Sequence, residues 1–94
     1  MTVSVARVPT ASASRYLQQL AKHWSHKMTV VFTAEEATVD FPGGARLVMR
    51  ADSDTLDVAL TVPEGGDVAR MQRVVAEHLD RFAFREAPLT FDWR

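Results

Sequence analysis

The chain of 94 residues contains no cysteine, which removes disulfides, thiolate metal sites and cysteine nucleophiles and leaves the redox compartment unspecified. Nowhere do about 18 apolar residues stand together, as a membrane-spanning helix requires. The opening stretch "MTVSVARVPTASAS" also lacks the charged segment and long apolar run of an export signal. The expectation is a soluble, cytoplasmic protein with no membrane partner. A basic surplus is missing too: 11 lysines and arginines face 12 acids, for a net charge of −1, which argues against a general electrostatic hold on nucleic acid. Nucleotide and P-loop fingerprints are absent, because "PGG" and "EGG" have neither the lysine nor the helix context that cradles phosphate. No serine sits in a nucleophile elbow, and the acid pairs Glu35/Glu36 and Asp52/Asp54 are expected in turns, where acids are common for turn chemistry alone. The balance favours a protein that is not an enzyme.

What is present describes an ordinary globular chain, 47% hydrophobic and 24% charged, read as one domain over residues 1–94 with a single core. From Ala13 to Trp24, apolar residues at Ala13, Tyr16, Leu17, Leu20, Ala21 and Trp24 make one stripe on a helix of period 3.6. Thr10, Ser12 and Ser14 are candidate N-caps. The period then changes to two. Met28, Val30 and Phe32, then Val39 and Phe41, then Leu47 and Met49, then Leu56, Val58, Leu60 and Val62 each alternate with more polar neighbours, giving four half-buried strands. The links "AEE", "PGG" and "DSD" are short, so successive strands pair as antiparallel hairpins.

A second helix opens after Asp67, its expected N-cap, with Val68, Met71, Val75, Leu79 and Phe82 as its apolar stripe. Glu77 and Arg81 have the favoured i,i+4 order for an exposed pair, and Asp80 is expected on the same solvated side. Val3 and Val5 mark a first strand, and Leu89, Phe91 and Trp93 leave room for a final one. The fold class is α+β: a single antiparallel sheet with two helices packed on one face, in the order β-α-β-β-β-β-α. Alternation of this kind leaves the other sheet face in solvent.

Charge is unevenly placed. Residues 1–34 carry Arg7, Arg15, Lys22 and Lys27 without one acid, while residues 35–67 carry eight acids against Arg46 and Arg50. Most such clusters are solvated faces, although the polarity also suits the orientation of two copies against each other. The most distinctive stretch is "KHWSHK" at residues 22–27. His23 and His26 stand about 60° apart on a helix, near enough to share a metal. Lys22 and Lys27 repel a cation there, and His78 is the only other histidine to complete a ligand set. The stretch reads more simply as cations in a helix's last turn, favoured by its dipole, with Trp24 in the core and His26 in water. His78 lies within the second apolar stripe and is expected to be partly buried with a hydrogen-bond partner. If the helices are neighbours, it approaches His23.

"SRYLQQLAKHWSHK" at residues 14–27 and "HLDRFAFRE" at 78–86, with the strands between them, resemble a family of small bacterial proteins called domain of unknown function 2218, over about Ala6 to Trp93. The resemblance implies no catalytic residue, because none is established for the family. It implies an iron-uptake context, through members fused to or encoded near siderophore-interacting flavoproteins. Any shared site would lie among the matching His23, Trp24, His26, His78, Arg85 and Glu86.

The function expected first is a non-catalytic binding or accessory domain, with His23, Trp24, His26, Lys27, His78 and Arg85 as candidate ligand-binding residues. Its partner would be a siderophore-interacting flavoprotein or a small anionic ligand such as a ferric siderophore, and a pocket should open near the C-terminal end of the first helix. A homodimeric interaction protein using a sheet edge or the open face is the alternative. A metal protein or enzyme centred on His23, His26 and His78 stands behind both. No cofactor is specified by the sequence.

Overall fold

The strands follow from the period-two stretches and the helices from the two apolar stripes. The computed structural model describes residues 1–94 as β1 (Thr2–Pro9), α1 (Ala13–Ser25), β2 (Thr29–Phe32), β3 (Glu36–Asp40), β4 (Arg46–Ala51), β5 (Thr55–Val62) and α2 (Val68–Phe82). All five strands form one antiparallel sheet in the spatial order β1-β5-β4-β3-β2. The three hairpins of β2 to β5 run inward from one edge, and β1 closes the other edge against β5. The β3–β4 turn depends on Gly43 and Gly44, whose φ values of 96° and 101° are reached at low cost only without a Cβ.

One face of this sheet is sealed. Val39, Leu47, Met49, Leu56 and Leu60 are wholly buried, and so are Leu17, Leu20 and Ala21 of α1 above them. Helix α1 lies across β2 to β5, while α2 rests on β5 and against α1. Val75 and Leu79 are the buried residues of α2, with Val68, Met71 and Phe82 packed at the margin of the same core. Each fully buried Leu or Val contributes about 1.5–3 kcal/mol relative to exposure, so the α1-to-sheet layer supplies most of the driving force.

Several local expectations change. Val3 and Val5, which marked the first strand, point to solvent with 58% and 45% exposure, and Ser4, Ala6 and Val8 are the buried residues of β1. Small side chains at Ser4 and Ala6 suit a position beneath α2, and the buried Ser4 hydroxyl accepts a 2.9 Å hydrogen bond from Gln72 Nε2. Ser12 holds the N-cap position of α1 but makes no side-chain cap; instead Thr10 Oγ1 accepts from the Ser12 amide, and Ser14 Oγ donates to the Ala34 carbonyl. Asp67 caps α2 as expected, accepting from the Arg70 amide at 3.0 Å.

Glu36 begins β3 rather than lying in the turn, and pairs with Arg50. Glu77 and Arg81 are not among the ion pairs. Asp80 is half-buried and accepts from the Leu89 amide at 2.9 Å, which folds the C-terminal segment back against α2. The final strand shrinks to one point of pairing: Val5 and Arg94 exchange two backbone hydrogen bonds of 2.9 and 2.8 Å at the outer edge of β1. Upstream of it Leu89 is buried, and Phe91 stacks on Trp93, so this segment packs by side chains rather than by a ladder.

The two faces should respond differently to truncation. Leu60→Ala, at a wholly buried position, should cost about 2–5 kcal/mol. Val31→Ala, 71% exposed on the other face, should stay within about 0.5 kcal/mol. Urea denaturation of both variants measures the difference.

Candidate functional site

The helix pair gathers three of the residues singled out in the sequence. Helix α1 ends where the Lys27 and Met28 amides both donate to the Trp24 carbonyl, and this end lies beside the last turns of α2. His23 and His78 face each other with ring centroids 6.0 Å apart. Trp24 is 3% exposed and is held between His78 and Phe41, each 5.0 Å away, while Phe82 meets His23 edge-on at 5.8 Å. The seam between the helices is therefore an aromatic cluster with both imidazoles half-buried in it.

Its electrostatics are set by burial and by an excess of cations. Burial pushes the His23 pKa below the ordinary histidine value, and His78, Lys27, Arg81 and His26 push it further the same way. His78 Nδ1 lies 2.7 Å from the Val74 carbonyl; a carbonyl only accepts, so Nδ1 carries a proton and donates it to that carbonyl. No hydroxyl or carboxylate hydrogen-bonds to either ring, and no three histidine or carboxylate side chains are grouped as metal ligands. Neither a base-activated nucleophile nor a metal centre is assembled here.

The other candidates stand apart. His26 and Lys27 are exposed at the end of α1. Arg85 is exposed beyond α2, its guanidinium 5.7 Å from the centre of the Phe84 ring, which is exposed too. Glu86, which the family resemblance also marked, ties three elements together: it accepts from the Tyr16 phenol and from Thr10 Oγ1 at 3.0 and 3.1 Å. The hydrogen bond to Glu86, then burial, raise the Tyr16 pKa above that of a free phenol. This cluster fastens the end of α2 to the start of α1.

None of the principal clefts opens where a pocket was expected. The largest cleft, about 690 Å³, lies at the start of α1 between Ser12, Arg15, Glu35 and Asp52. An apolar one of about 330 Å³ lies between the β3–β4 turn and the start of α2. None of the five principal clefts is lined by any of the six candidate residues.

The open face of the sheet is more unusual. Its register sets three rows across the strands. The middle row runs Val5, Ala59, Val48, Thr38 and Val31, spanning all five strands. On one side lies a row of alternating sign, Arg7, Asp57, Arg50 and Glu36, in which Arg7 pairs with Asp57 at 3.0 Å and Arg50 with Glu36 at 2.9 Å. On the other lie Val3, Thr61, Arg46, Asp40 and Thr29. Val3, Val5, Val31 and Val48 make up four of the six exposed large apolar side chains of the molecule. The sequence signal for this row was an apolar residue at the outward parity, as in "VVF" and "LVM", masked by the stronger inward alternation around it.

A family model described as an uncharacterized protein conserved in bacteria (DUF2218) matches residues 5–94. The chain belongs to this family. Among solved structures, the NMR structure of PA4090 from Pseudomonas aeruginosa is similar over 100% of this chain and 96% of that one, with 37% identity and a TM-score of 0.81. No curated protein matches the chain. This DUF2218 chain thus shares its whole architecture with a solved bacterial protein.

The histidine seam has a consequence for stability. Because the folded-state pKa of His23 is depressed, the unfolded chain binds the proton more readily. Its stabilising contribution is complete above the unfolded value of about 6.5 and is lost as the pH falls through the folded value. Melting temperature should decline as the pH is lowered from about 7.5 to about 5, and His23→Gln should flatten part of that decline. Thermal denaturation across this range tests it, an unchanged slope in the variant being the contrary result. At the other cluster, Tyr16→Phe removes a hydrogen bond to a carboxylate and should cost about 1–2 kcal/mol, read as a shift of the urea midpoint.

Proposed function

We propose that the chain is a non-catalytic interaction domain whose working surface is the open face of its sheet. The observation that carries this is the concentration of exposed valines there, three of them in a middle row that crosses every strand and is bordered by charge. An apolar band rimmed by polar groups is the usual make-up of a docking surface. The helix pair, by contrast, fills its own seam with aromatic rings, and its surroundings supply no nucleophile, acid pair or cleft.

A second reading follows from the cations at the end of α1. Lys27, Arg81 and His26 all bear on His23, and α1 has no acid. That end suits an anionic, aromatic-rich ligand of the ferric siderophore type, or the siderophore-interacting flavoprotein to which the family resemblance points.

Two measurements separate them. A photo-crosslinking residue at position 48 should form a protein adduct in cells, and one at position 26 should not; the helix-end reading expects the converse. Ferric siderophores, flavins, metals and nucleotides should leave the melting midpoint unchanged. A saturable rise with any of them, abolished by His23→Ala, would transfer the function to the helix end.

A further inference from the structure

The rows of the open face determine what fits them. Read from β1 to β3, the charged row runs positive, negative, positive, negative through Arg7, Asp57, Arg50 and Glu36. Such a row is complementary to its own reversal. Turned about an axis parallel to the strands and midway between β5 and β4, Arg7 meets a second Glu36 and Asp57 meets a second Arg50, so each charge faces its opposite. The same operation lays Ala59 opposite Val48, a small side chain against a larger one. A depression of about 200 Å³ lined by Val48, Arg50, Asp57 and Ala59 lies at that place.

We infer that two copies of this chain pack face to face through the open side of the sheet, about a twofold axis parallel to the strands and running between β4 and β5. This rests on the docking role proposed above and names the occupant of the face. Two other symmetric arrangements bring like charges together, and an axis between β4 and β3, which sets Arg50 over Glu36, leaves Arg7 and Asp57 without a facing opposite charge. An axis along the rows places Arg50 over Arg46 and Glu36 over Asp40. An axis through β4 places Arg50 over Arg50 and Asp57 over Glu36. Like-charge juxtaposition of this kind suppresses wrong pairings. A strand-parallel axis also agrees with aligned packing of two twisted sheets, whose strand directions differ by about 30°.

Area sets the strength. This axis superposes β1, β5, β4 and β3 and leaves β2 outside; those four strands, five to eight residues long at about 3.3 Å per residue and spaced about 4.8 Å apart, offer roughly 430 Å² per protomer. Two copies then bury about 850 Å², the size of a weak, transient contact, so association no tighter than the micromolar range is expected. The twofold axis makes the contact isologous, with the same patch used on both sides.

Sedimentation velocity and light scattering of the full chain test this. The wild type should be a dimer at about 100 μM and dissociate on dilution towards about 1 μM. Val48→Arg should be monomeric throughout, with an unchanged circular dichroism spectrum. Two single variants carry the register: Asp57→Arg puts arginine opposite Arg50, and Arg50→Asp puts aspartate opposite Asp57, so each alone should be monomeric. Mixed in equal amounts they should form a heterodimer, because every facing pair is again of opposite sign. Recovery on mixing excludes misfolding as the reason for the single failures. A wild type monomeric at about 100 μM, or single variants that stay dimeric, or a mixture that stays monomeric, would each overturn the assignment. A monomeric wild type that still forms an adduct from position 48 with a different protein would retain the docking role and remove only the second copy.

Discussion

Everything in this molecule leans on the contact between α1 and the inner face of the sheet. Leu17, Leu20 and Ala21 press onto a floor of Val39, Leu47, Met49, Leu56 and Leu60, all without solvent exposure. That layer fixes which parity of each strand faces inward, since a slip of one residue in any hairpin would carry its leucines or valines into water and its charges into the core. With the parity fixed, the outward residues have no freedom in their arrangement either. The rows on the open face are the reverse side of the core's own register.

Much of this was legible from spacing alone. The stripes of α1 and α2 and the alternation from Met28 to Val62 lead directly to the element order and to a sheet covered on one side. Spacing says less where a residue's partner is distant in sequence. Asp80 belongs by position to the solvated side of α2, yet it is recruited by the Leu89 amide. Val3 and Val5 have the composition of inward residues and point out, because Ser4, Ala6 and Val8 share the parity that faces α2. Local hydrophobicity on a strand covered on one face indicates the strand, and the tertiary contact decides its orientation.

For the candidate site, the two stripes brought His78 towards His23 if the helices were neighbours and put Trp24 in the core, and the structure joins all three within 6.0 Å. What it could not convey is that Phe41 and Phe82, from a strand end and from the next turn of α2, fill the space a ligand would need. A cluster rich in chemistry-bearing side chains can thus be a packing solution: the imidazoles act as flat rings between aromatic neighbours. Burial first, and then the cationic neighbours, lower the His23 pKa, which favours that role near neutral pH.

The exchange of backbone hydrogen bonds between Val5 and Arg94 bears on how such a sheet meets its surroundings. It blocks the border strand at mid-length, so an incoming strand finds its hydrogen-bonding sites interrupted there, while the opposite border, β2, is only four residues long. Neither margin offers the long unbroken template on which sheets extend from molecule to molecule. Encounters are thereby steered away from open-ended fibres and towards contacts that close on themselves.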